Sequence, residues 1–191
     1  MINVAVFASG NGSNFQAIID FEKQGKLNGN VKLLVCDNKD AICIKRAEQG
    51  QIDTFIFSAK DYQNKADYET AILGKLDEYH IDYVVLAGYM RLIGPTILDR
   101  YDRRIVNIHP SLLPAFQGLD AIGQALDYGV QVMGVTIHYV DSGMDTGDII
   151  AQDAFRLTKE ETKDQIEAQV HAIEHRLYPI TLSKLFKQGD K

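Results

Sequence analysis

The 191-residue chain has no tryptophan, only two cysteines and four prolines, and fewer basic than acidic side chains, 20 against 26, for a net charge of -6. Each scarcity excludes something. The spacing of Cys36 and Cys43 matches neither a CxxC redox pair nor a four-ligand zinc pattern, so they read as two unpaired thiols in a reducing, cytoplasmic setting. No apolar run approaches the roughly 18 residues needed to cross a bilayer. Met1 leads straight into the strand-like INVAVFA, which is not the pattern of a secretory signal, so no membrane role is expected. The acidic balance, without a basic stripe, argues against nucleic acid as a partner, because that affinity comes from clustered Lys and Arg neutralising phosphates. What remains is a single domain spanning residues 1–191, since a chain of about this length buries about 70% of its unfolded surface without a staple. Small anionic ligands, held by a local loop, stay open.

Short runs rich in Val and Ile alternate with segments of helical period, the signature of a mostly parallel sheet flanked by helices, an α/β Rossmann-like architecture. Residues 2–8, 31–36, 53–57 and 82–86 read as strands. Between them Phe15, Ile18 and Ile19 share one helical face, and Tyr68, Ile72, Leu76 and Tyr79 share another. Gly94-Pro95 opens a further helix, Ile105 to Ile108 is a short strand, and Pro110 and Pro114 bracket a loop. Val135 to Val140 and the segment from Ile149 form two strands of an antiparallel hairpin around a glycine-rich turn. Ile166, Val170, Ile173 and Leu177 stripe a last helix, which Pro179 is expected to kink before a frayed lysine-containing tail. A phosphate-binding half, 1–100, would precede a catalytic half, 101–191.

Three stretches carry chemistry. Gly10-Asn11-Gly12-Ser13-Asn14 follows the first strand and precedes the first helix, where free amides and the helix dipole favour a phosphate. The dinucleotide fingerprint would need glycine at Phe15, so a mononucleotide or sugar phosphate fits better. The plainer reading is a helix start with Ser13 or Asn14 as its cap. Asn107 and His109 lie two apart at a strand end, so both point to one side of the sheet edge. An amide beside an imidazole suits acyl or formyl transfer, since both donate to a developing oxyanion and the imidazole also moves a proton; the plainer reading is a strand end satisfying loop backbone. In the Asp141–Asp148 turn several carboxylates are available to His109, and Asp141, Asp145 and Asp148 are not separable by sequence pattern. The turn lacks the spacing of a calcium loop, and no metal is expected.

Taken together, GNGSN, LAGYMRLI at 86–93, NIHPSLLP at 107–114, MDTG at 144–147 and Glu174 ahead of Tyr178-Pro179 resemble the glycinamide ribonucleotide formyltransferases over nearly the whole chain. The resemblance implies the formyltransferase fold and a phosphate held by Gly12, Ser13 and Asn14. It implies a catalytic set of Asn107, His109 and Asp145, so one aspartate is chosen from three. It also implies His171 and Glu174 at the ribose or glycinamide end, and a formyl-folate site lined by Met90, Arg91, Leu92 and Ile93, by Val140, Asp141 and Asp145 beside Asn107, and by Lys65 in a variable region. The implied co-substrate is 10-formyltetrahydrofolate, and the implied partners are small molecules, with a homodimer compatible. Two departures stand out, Gln117 where many relatives have proline and Asp148 after the TG pair; neither is expected to touch a residue with an assigned role. His138 is expected to support the site or the core without acting as a catalyst, and His80 and His175 to lie on the surface.

The implied reaction is formyl transfer to the glycinamide amine of phosphoribosylglycinamide, a step in purine synthesis. Methionyl-tRNA formyltransferase and formyltetrahydrofolate hydrolase are similar but would need additional domains. A sugar-nucleotide formyltransferase is a nearer alternative and a nicotinamide-dependent oxidoreductase a more remote one.

Overall fold

The sheet is built on a strand whose side chains are buried on both faces. In β1 (Ile2–Ala8), Val4, Val6 and Ala8 point into one apolar cluster and Ala5 and Phe7 into another, all of them fully buried. Such a strand needs cover on both sides, which explains its continuous hydrophobic run. A computed structural model describes residues 1–158 and 160–189. Its elements are β1, α1 (Ser13–Lys23), β2 (Gly29–Cys36), α2 (Ile42–Gly50), β3 (Asp53–Ile56), α3 (Lys65–Glu78), β4 (Tyr83–Leu86), α4 (Pro95–Leu98), β5 (Ile105–His109), α5 (Ala121–Tyr128), β6 (Val132–Tyr139), β7 (Ile149–Arg156) and α6 (Lys163–Gly189).

The strands form a seven-stranded sheet in the order β3-β2-β1-β4-β5-β6-β7. The pairs from β3 to β5 are parallel; β5 with β6 and β6 with β7 are antiparallel. The expected mostly parallel sheet with a late hairpin is therefore present. The hairpin pairs Val132 with Arg156 at its open end, so β6 begins three residues before the expected Val135. One cluster packs α1, α2 and α6 on the first face through Phe15, Ile18, Cys43, Val170 and Leu182. The other packs α3 and α4 through Tyr68, Ile72, Leu76 and Ile97. Both helical stripes read from sequence are thus core faces; Tyr79, at the end of its stripe, is only partly buried, and its hydroxyl donates to Asp53.

The last helix differs from expectation. It stays helical as far as Gly189, so Lys184 and Lys187 belong to the helix and not to a frayed tail, while residues 190–191 of the expected tail lie outside the described residues. The cause is packing beyond the predicted stripe: Tyr178, Leu182 and Phe186 are fully buried against the sheet, each contributing on the order of 2 kcal/mol. The Tyr178 hydroxyl reaches into the sheet, 2.8 Å from the Leu86 carbonyl and 3.0 Å from that of Val106. It ties α6 to the ends of β4 and β5.

Replacing Tyr178 by phenylalanine removes the hydroxyl shared by those two carbonyls while keeping the ring. The expected loss is about 1 to 2 kcal/mol of unfolding free energy, read from urea melts at unchanged m-value.

Candidate functional site

Between β1 and β4 the chain order reverses, because β2 and β3 lie to one side of β1 and β4 to the other. Loops leaving the strand ends there diverge and open a crevice, the usual ligand position of such sheets. A cleft of about 570 Å³ occupies that position. Its walls are the loop after β1, the segment after β4, the end of β5, residues 118–120 with the start of α5, the turn after β6 and one face of α6.

The loop after β1 supplies Gly12, Ser13 and Asn14 to the cleft. Helix α1 begins at Ser13 with Gly12 as its N-cap, and no side chain caps it. The alternative of a Ser13 or Asn14 cap is thereby overturned, and the first-turn amides are left for an anion. Gly12 has φ 73°, and a Cβ there would lie 2.6 Å from Cys43 Cβ, so glycine is required twice over. Asn14 Oδ1 is buried without a partner. Two braces hold the loop from α2. Cys43 N–H donates to the Gly10 carbonyl at 3.0 Å, and Arg46 donates to the Asn11 carbonyl and side chain at 2.8 and 2.9 Å. The role of Arg46 is invisible in sequence, since a residue on α2 reaches the loop only after the strands pair. Cys36 and Cys43 are free and buried, with their sulfurs 3.7 Å apart.

Met90, Arg91, Leu92 and Ile93 line the opposite wall with Val140 and Asp141. Met90 is 69% and Leu92 52% exposed, an apolar surface open to the cleft. Lys65 does not line it. It opens α3, with its stem against Gly94 and its charge felt by the buried Glu69.

Asn107 and His109 both project from β5 into the cleft, as their i, i+2 spacing requires. Asp145, held at φ 55° in the turn after β6, is the aspartate that meets them. Its Oδ2 lies 3.4 Å from His109 Nδ1 and accepts from Gly118 N–H at 2.9 Å, while its Oδ1 accepts from Asn107 Nδ2 at 3.4 Å. The other two candidates are occupied elsewhere. Asp141 Oδ1 accepts from Gly143 N–H and the Thr146 hydroxyl, bracing the turn, and Asp148 pairs with Arg103 on the surface. His109 Nε2–H donates to the Phe116 carbonyl at 2.8 Å, so each ring nitrogen faces an oxygen. His138, 2% exposed, donates from Nδ1 to the Tyr139 carbonyl and presents Nε2 to Asn107 Nδ2 at 3.1 Å and to Asp145 Oδ1 at 3.6 Å. It thus touches two members of the trio. Gln117 corrects an expectation: its side chain donates to the Asp145 carbonyl at 3.1 Å, so this departure braces the turn that carries the acid.

On α6, His171 Nδ1 and Glu174 Oε2 are 2.8 Å apart and line the cleft beside the glycine loop, together with Glu167, which sequence reading missed. The Glu174 carboxylate raises the His171 pKa against the opposing effect of burial. His80 is exposed as expected. His175 is not: it is half-buried, its Nε2 is enclosed without a partner, and burial lowers its pKa. Among the described residues, no cluster of three or more His, Cys, Asp or Glu side chains is arranged to hold a metal ion, and no helix is long and apolar enough to cross a membrane.

Residues 2–182 match the formyl transferase family. The chain belongs to that family. This formyl transferase is 51% identical to phosphoribosylglycinamide formyltransferase of Bacillus subtilis (strain 168), with both chains covered completely. It is 38% identical to the Escherichia coli (strain K12) enzyme of the same name, over 95% of this chain and 86% of that one. Its structure superimposes on glycinamide ribonucleotide transformylase 1 from Geobacillus kaustophilus with a TM-score of 0.95, at 54% identity, covering 97% of this chain and 99% of that one.

Burial opposes ionisation of Asp145, yet His138, the Gly118 amide and the His109 charge outweigh it and hold the carboxyl below its ordinary pKa. A depressed folded-state value stabilises the fold above the unfolded pKa of about 3.9, and that contribution disappears as pH falls through the folded value. The stability gap between the wild type and Asp145→Asn is therefore expected to be larger at neutral pH than in strong acid. Urea unfolding across that range measures it.

Proposed function

We propose that this formyl transferase moves a formyl group from 10-formyltetrahydrofolate to the amine of phosphoribosylglycinamide. The observation that carries the reading is convergence: an uncapped helix start, an apolar wall and the Asn107, His109, Asp145 trio all face one cleft. A phosphate would sit on the amides of Gly12, Ser13 and Asn14, with the ribose and glycinamide end toward His171 and Glu174. The folate ring system would lie along Met90 to Ile93 and the turn from Val140 to Asp145. The name of the Bacillus subtilis relative, 51% identical over the full length, supports the same substrate.

An amine of this type has a pKa of about 8, so a useful fraction is neutral near pH 7 and no strong base is required. Its nitrogen attacks the formyl carbon, the carbonyl becomes an oxyanion, and the carbon–nitrogen bond to the folate breaks as the new amide forms. One proton passes from the amine to the leaving folate nitrogen. Asn107 Nδ2–H and an N–H of His109 would donate to the oxyanion. Oxygens face both ring nitrogens of His109, with Asp145 Oδ2 beside Nδ1 as the acidic partner of the ring. In the present arrangement both donors are engaged within the protein, so substrate must exchange with the Phe116 carbonyl or with the Asp145 and His138 contacts.

The direct test is formation of tetrahydrofolate that depends on phosphoribosylglycinamide. Asn107→Ala and His109→Ala are each expected to fold normally and to lose about a hundredfold to a thousandfold in kcat; turnover within a few-fold of wild type would remove that residue from catalysis. Gly12→Val is expected to raise KM for the ribonucleotide far more than for the folate, and equal effects would indicate damage to the fold instead.

A further inference from the structure

Asp37 follows β2 and carries no role in the reaction described above. Its side chain is only 8% exposed, yet both carboxylate oxygens are used. Oδ1 accepts from the Ser9 hydroxyl at 2.5 Å, and Oδ2 accepts from Arg91 Nε at 2.7 Å. The Ser9 oxygen in turn accepts from the Met90 N–H at 2.9 Å. One carboxylate therefore joins three adjacent strand ends: its own after β2, that of β1 where the glycine loop begins, and the segment after β4.

We infer that Asp37 is a positioning residue that fixes the Met90–Arg91 backbone against the base of the glycine loop, and so sets the shape of the wall assigned to formyl folate. The inference rests on the proposed function for the identity of that ligand, but the tether itself is a property of the protein alone. Charge-assisted bonds to a nearly buried carboxylate are among the stronger polar contacts. The Arg91 guanidinium is committed to Asp37 and lies over the Tyr68 ring, 5.7 Å from its centre, so Arg91 acts through where it holds its own backbone. The glycine loop has other supports. Ser9 N–H donates to the Gly88 carbonyl at 3.0 Å, and Arg46 and Cys43 hold Asn11 and Gly10 from α2. Loss of Asp37 should therefore be felt on the folate side and spared on the phosphate side.

Asp37→Asn keeps the shape but cannot accept from both Ser9 and Arg91, since its amide nitrogen must face one of two donors. The expected result is a rise of roughly fivefold or more in KM for 10-formyltetrahydrofolate, with kcat and KM for the ribonucleotide within about twofold. Combined with Arg91→Gln, the effect on folate KM should be much less than the product of the single changes, because both break one tether. Hydrogen exchange at the Met90 amide, read without substrate, should quicken in Asp37→Asn. Unchanged exchange, multiplicative effects of the two substitutions, or equal rises in both KM values would each overturn the tether. A wild-type protein inert toward formyl folate would instead overturn the proposed function, and the exchange measurement would still decide the role of Asp37.

Discussion

The reversal of strand order beside β1 is the constraint on which the site depends. Strands β1 to β3 progress one way across the sheet and β4 to β7 the other, so the loops after β1 and β4 cannot cover each other. The gap they leave is bounded by backbone that strand pairing has already made rigid. Every cleft residue is placed relative to that gap. The first-turn amides of α1 border it on one side, the Met90–Ile93 segment on the other, and the end of β5 brings Asn107 and His109 to its floor. Antiparallel addition of β6 then returns the chain to the same edge, with Asn107 opposite His138. That pairing carries the following turn, and Asp145 with it, over the strand that bears the histidine.

Within this frame the polar groups are held by contacts that come from distant parts of the chain. Asp145 accepts from the Gly118 amide and from Asn107 and lies against His109, and its backbone is braced by Gln117. A carboxylate 13% exposed remains ionised because these donors replace the water it has lost. The same principle applies at the glycine loop, where Arg46 and Cys43 hold the backbone without occupying the amides at the start of α1. Preorganisation of this kind leaves less reorganisation for the moment of reaction.

Much of the fold was legible because its signals are local. The apolar run of β1, the stripes of α1 and α3, and the glycines of the first loop follow from composition, periodicity and φ requirements within a few residues. The i, i+2 spacing of Asn107 and His109 already placed both on one side of β5. That α6 stays helical as far as Gly189 was not legible, because it rests on the burial of Leu182 and Phe186 against a sheet distant in sequence. Nor were the enclosed Nε2 of His175 and the hold of Gln117 on the Asp145 turn, both of which depend on elements that meet only in the folded chain.

The amino-acid sequence by itself determined the α/β architecture, the glycine loop and the Asn-x-His pair, because each is written in spacings shorter than one secondary-structure element. Choosing by geometry among Asp141, Asp145 and Asp148 required tertiary structure. All three occupy one turn with the same chemistry, and only the register of β5 with β6 determines that Asp145 faces His109 while Asp141 braces the turn and Asp148 meets Arg103. The contributions of Arg46 and Asp37 were likewise decided by folding. Strand order brings them to loops far away in sequence, and no local pattern encodes a contact of that range.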